Sequence, residues 1–163
     1  MQRSVLYQLI KNNIKKILPW VNYIDLQKGQ FRRLDNNYPI PLPALLIEFG
    51  NVNYSNTLKN KQIGEITINI ELYLPCVTDS FDNAELEDET IQILDRWDEL
   101  YKAFHGFNCE QITKLVRKQE QTAEYGNGYI CLRSEFVAVF NEHQDIENTK
   151  ITIPNIIIET IHA

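Results

Sequence analysis

Three cysteines and three histidines are all this 163-residue chain offers for disulfide or soft-metal chemistry. Cys76, Cys109 and Cys131 are odd in number and widely spaced, which argues against a disulfide framework and leaves no CxxC pair for zinc. They read as reduced, small apolar residues. His105, His143 and His162 never fall within one helical turn of each other, so a helix-borne HxxxH pair is missing. There is no GxSxG, P-loop, GxGxxG or EF-hand pattern. No apolar run is long enough to cross a bilayer. The first residues, Met1-Gln2-Arg3-Ser4, lead into a segment broken by Lys11, Asn12, Asn13, Lys15 and Lys16, unlike a signal peptide. These gaps predict a soluble protein made in the cytoplasm, with no enzymatic activity, no metal and no cofactor.

What is present is pattern. At this length one domain over residues 1–163 is expected, burying roughly two thirds of its unfolded surface. Ile66, Ile68, Ile70, Leu72 and Leu74 alternate with Thr67, Asn69, Glu71 and Tyr73, which predicts a strand with one face on a core and the other partly wet. Val5, Leu6, Leu9, Ile10, Ile14, Ile17 and Leu18 place a helix at residues 3–18, with Ser4 as its cap and Pro19 as its stop. Residues 20–27 suit a short strand, and the prolines Pro39, Pro41 and Pro43 hold the chain extended into a strand at residues 44–49. Asn51, Asn53, Ser55, Asn56, Lys59, Asn60 and Lys61 read as a polar loop.

After an acidic crossing, a helix of roughly 20 residues should end near Gly106, with Leu86, Ile91, Leu94, Trp97, Leu100, Tyr101 and Phe104 as its apolar stripe. Gly126-Asn127-Gly128 between extended runs at 112–122 and 129–140 signals a hairpin. The predicted core spans about 3–140, followed by a polar linker at 141–150 and an apolar tail at 151–163. The fold class is α+β: a mixed or mainly antiparallel sheet packed against an N-terminal helix and a long central helix, with a C-terminal β-hairpin.

Charge is split along the chain. Residues 1–33 hold seven Lys/Arg against one Asp, whereas residues 79–99 hold nine Asp/Glu against Arg96 alone. Complementing the helix dipoles accounts for part of this. The sharper reading is that copies associate head to tail through a basic and an acidic patch. The net charge of −6 and the lack of Arg clusters interleaved with aromatics disfavour sequence-specific nucleic-acid binding. Glu85, Glu87, Asp88 and Glu89 resemble a carboxylate cluster for Mg²⁺ or acid–base work, but an acidic first turn explains them as well. His105 falls at a helix C-terminus, where capping is the simpler role. Asp98 and Lys102 are spaced for a surface ion pair. The isoleucine-rich tail would aggregate as a bare edge, so it should pair with its own sheet or with that of a neighbouring copy. Candidate interface residues are therefore Lys15, Lys16, Arg32, Arg33, Asp88, Glu89, Asp95, Ile153, Ile156 and Ile158.

This layout resembles the tail terminator (tail completion) proteins of long-tailed bacteriophages and related minor tail and neck proteins. The helix at residues 5–18, Pro39-Ile40-Pro41-Leu42-Pro43-Ala44 leading into a strand, the alternating strand at 66–74, the helix ending Leu100-Tyr101-Lys102-Ala103-Phe104-His105-Gly106, and a terminal hairpin carry the resemblance over about residues 5–140. The tail at 151–163 has no counterpart, and the acidic crossing is unusually charged. The resemblance implies a homo-oligomeric ring, typically a hexamer, on the last ring of the tail tube. Such a ring stops tube polymerisation, meets the tail tube protein and the head–tail connector protein, and lets DNA through its channel. It would assemble in the host cytoplasm and reside in the virion tail or neck. A monomeric binding or adaptor module using a pocket between helix and sheet is the alternative.

Overall fold

Two helices lie on one face of a five-stranded mixed sheet. The computed structural model describes residues 1–32, 40–58, 61–76, 87–126 and 128–143. In chain order these form α1 (Arg3–Ile17), β1 (Tyr23–Leu26), a short 3-10 turn (Gln30–Arg32), β2 (Ala44–Leu58), β3 (Lys61–Pro75), α2 (Glu87–Phe104), β4 (Val116–Gly126) and β5 (Tyr129–His143). The strand order is β1-β2-β3-β5-β4; β1 runs parallel to β2, and every other neighbouring pair is antiparallel. The α+β class expected from the sequence is what the chain adopts.

The period-two run in β3 places Ile66, Ile68, Ile70, Leu72 and Leu74 under the helices, all buried. They meet Leu6, Ile10, Ile14 and Leu18 from α1 and Leu100, Ala103 and Phe104 from α2; Leu45, Ile47, Leu132, Phe136, Ala138 and Phe140 come from the flanking strands. A constant spacing of four, from Leu6 through Ile10 and Ile14 to the capping residue Leu18, produces this stripe, because those positions share a helix face. Gly106, at φ +85, ends α2 as its position after the helix suggested. The β4–β5 hairpin forms where Gly126-Asn127-Gly128 predicted it, with Gly126 opposite Tyr129.

Several local expectations differ. The polar stretch taken for a loop is largely strand: β2 continues to Leu58 through a bulge between Phe49 and Val52, and β3 begins at Lys61. Asn51, Asn53 and Ser55 are exposed there, so the segment supplies no apolar alternation to read. Ser4 does not cap α1; Gln2 holds the cap position without a side-chain bond. The hairpin's first arm starts at Val116 rather than 112, and its second continues past 140 to His143. In α2, Ile91 and Leu94 are 51 and 59 % exposed, so the N-terminal half of the helix turns its apolar residues outward while Ile93 packs inward. The rest of the expected linker and the tail lie outside the described residues.

The second sheet face is not simply wet. Its end is covered by Phe31, which stacks on Tyr73 with centroids 3.8 Å apart and planes 8° from parallel. Tyr129 meets both rings edge-on, and Ala44, Leu46 and Cys131 complete a small second core.

Candidate interaction surfaces

Lys15 and Lys16 occupy the last turn of α1, both exposed, beside the half-exposed Ile17. Asp88 and Asp95 are exposed on α2, on the half that also presents Ile91 and Leu94. No ion pair joins these basic and acidic residues among the described residues. Glu99 on α2 instead pairs with its own helix and with the segment that follows α1: Trp20 Nε1 donates to Glu99 Oε2 at 2.5 Å, Arg96 Nη1 sits 3.1 Å from the same oxygen, and the Arg96 guanidinium lies 4.5 Å from the Trp20 ring centre. Asn13 Nδ2 also donates to the Ala103 carbonyl at 3.0 Å, locking α1 to the end of α2. Glu99 is thus a structural anchor, and the expected Asp98–Lys102 pair does not form among the described residues.

The remaining candidates divide differently. Arg32 ends the 3-10 turn and Glu89 lies in α2, but their side chains are not among those described. Arg33, Ile153, Ile156 and Ile158 lie outside the described residues. No group of three or more His, Cys, Asp or Glu suited to a metal is found among the described residues, and the acidic residues before Glu87 fall outside them. His105 accepts the Arg117 backbone N–H through Nδ1 at 3.4 Å, and Arg117 lays its guanidinium 3.7 Å from the Tyr101 ring centre. This arrangement fastens β4 to the end of α2.

Sequence reasoning missed a polar network across the open face of the sheet. Glu71 is buried on β3 and accepts from the Tyr73 hydroxyl at 2.9 Å and from the Gln27 amide. Arg133, directly opposite on β5, approaches Glu71 at 3.7 Å and donates to Glu48 at 2.9 Å; Asn69 donates to the same Glu48 oxygen at 2.9 Å. Five side chains from three adjacent strands, with Gln27 beside them, thus satisfy one another where a lone buried carboxylate would be costly. Burial, with Cys131 and Glu71 beside it, pushes the Tyr73 phenol far above its usual range, so it remains a donor. Beside β1, burial pushes Asp25 up. Hydrogen bonds from Lys28, the Leu26 N–H and the Tyr23 hydroxyl outweigh it and hold the carboxyl below 3.8. A shallow depression of about 80 Å³, lined by Gln119, Gln121, Arg133 and Glu135, lies next to the network. The signal for this face was available: Asn69, Glu71 and Tyr73 alternate as regularly as the isoleucines, but their partners come from distant strands.

No model of a known protein family matches the chain, and no curated protein sequence matches it.

Proposed function

We propose that the chain is a structural subunit that assembles head to tail into a ring, in the manner of a phage tail terminator. The observation that carries this reading is the pair of unlike, unpaired surfaces on the helices. A basic turn with exposed Ile17 lies on α1, and an acidic face with exposed Ile91 and Leu94 lies on α2. Two different surfaces of opposite charge favour a heterologous contact, and heterologous contacts close into rings when the rotation per subunit permits. The tail tube, the head–tail connector and passage of DNA through the lumen follow from the family resemblance. A monomeric binding module finds less support, since side chains from α1, α2 and three strands pack the space between helices and sheet.

Light scattering at rising concentration, with negative-stain imaging, tests the reading. A closed ring is expected for the native chain. Reversing Asp88 and Asp95 to Lys should shift assembly to higher concentration by about tenfold or more, with the effect shrinking as salt rises. Assembly undiminished by the reversal would remove the electrostatic contact, and a monomer even on preformed tail tubes would remove the ring.

A further inference from the structure

The two edges of the sheet differ in charge. Both β4 and β2 carry two register shifts against their inner neighbours, but β4 also carries Arg117, Lys118 and Glu120, charges that keep an exposed edge from pairing with other strands. The outer edge of β2 has none of that charge. β1 pairs with it only from Ala44 to Ile47, and the Gln27 N–H closes that pairing onto the Ile47 carbonyl at 2.9 Å. Beyond, residues 50–58 read Gly-Asn-Val-Asn-Tyr-Ser-Asn-Thr-Leu, with no charge and no proline. Nothing pairs with this stretch of edge among the described residues, and Tyr54 stands 50 % exposed.

We propose that residues 151–158 of the same molecule occupy this edge as a sixth strand, antiparallel to β2. Direction and reach both favour it. β5 runs parallel in space to β2, since both are antiparallel to β3, so His143 and Leu58 lie at one end of the sheet, each opposite Lys61. A chain leaving His143 crosses three strand spacings, about 14 Å, to reach the outside of β2. The seven residues 144–150 span up to about 23 Å. Turning back there, the segment runs antiparallel to β2 and heads toward the end of β1. Ile-Thr-Ile-Pro-Asn-Ile-Ile-Ile suits the length of the open edge and is rich in β-branched residues. Pro154 has no N–H to give, so it must face outward. Alternate residues then fall into two sets: 153, 155 and 157 bond to β2, whereas 154, 156 and 158 point their backbone groups away.

This strand is independent of ring formation, and hydrogen exchange tests it. Amides in residues 50–58 should exchange at least about tenfold faster when the chain is cut after Lys150 than in the full chain. Ile157→Pro should reproduce most of that loss, whereas Ile156→Pro should leave protection within about twofold. The two proline variants keep the full tail, so the contrast survives even if the shortened chain folds poorly. Equal effects of both, or no protection in the full chain, overturn the proposal. Protection that disappears on dilution overturns the same-molecule assignment, because it means the strand comes from a neighbour.

Discussion

Arg133 Nη2 and Glu48 Oε2, 2.9 Å apart, join β5 to β2 across the full width of β3. The guanidinium reaches over the intervening strand because Glu71, directly beneath on β3, draws it inward. Removing it with Arg133→Met leaves Glu71, whose side chain is only 4 % exposed, without its cation. A loss of about 2–3 kcal/mol is expected, checked by urea unfolding. Adding Glu71→Gln to the same variant should recover more than half of it, because a neutral amide in that position no longer needs a charge.

Tyr73 ties this network to alkaline pH. Its phenol is pushed above 10.0 in the folded protein, mainly by burial. Folding therefore binds the proton more tightly than the unfolded chain does. That stabilisation is fully present below pH 10.0 and is lost as pH rises beyond it, when unfolded tyrosine ionises first. Stability measured by denaturant titration should fall between about pH 10 and 11.5, and Tyr73→Phe should flatten that decline.

Asp25 acts at the other end of the scale. Its hydrogen bonds hold the carboxyl below 3.8, so the folded form prefers the ion. The contribution is present above 3.8 and disappears as pH falls through the lowered folded value. Asp25→Asn should therefore lower stability at pH 7 and make the acid limb of the curve shallower, so that the variant and the native chain converge at low pH.

Gly64 allows an aromatic ring to lie across a strand. It pairs with Tyr54 on one side and Phe140 on the other, and a Cβ there would stand 2.3 Å from the tip of the Phe140 ring. Phe140 is buried and packs edge-to-face with Tyr54 at 6.0 Å, which limits its freedom to move aside. Gly64→Ala should cost about 1–3 kcal/mol by denaturant midpoint, and Gly64→Ala with Phe140→Leu should cost less than the two changes summed.

Ile91 and Leu94 separate assembly from folding. Both are more than half exposed, so Ile91→Ser with Leu94→Ser should move the melting temperature by no more than about 2 °C. If α2 forms the acidic side of a subunit contact, the same pair should weaken self-association measured by sedimentation.

The sequence was most readable where one residue type repeats at a fixed spacing. β3, α1 and the hairpin turn were all found from such local patterns, and the sheet class followed. The continuation of β2 through Asn51, Asn53 and Ser55 was not legible, because its ladder is held by backbone bonds to β3 and its side chains face solvent. The outward turn of Ile91 and Leu94 was hidden as well. A helical stripe tells which residues share a face, but not how far along the helix the core extends. Glu99 read as one more acidic surface residue until Trp20, distant in sequence, supplied its partner.

The seam between β3 and β5 has a kinetic meaning. β2–β3 and β4–β5 are each hairpins that need only short loops, while β3 meets β5 from across the whole of α2. Local pairing is fast and the closure of a long loop is slow. The molecule is therefore expected to form from two halves, with the step that matches Ile68 to Phe136 setting the rate. Ile68→Val should slow folding more than Ile47→Val, whose strand pairs with β3 but not with β5, and stopped-flow chevrons of the two variants would show the difference.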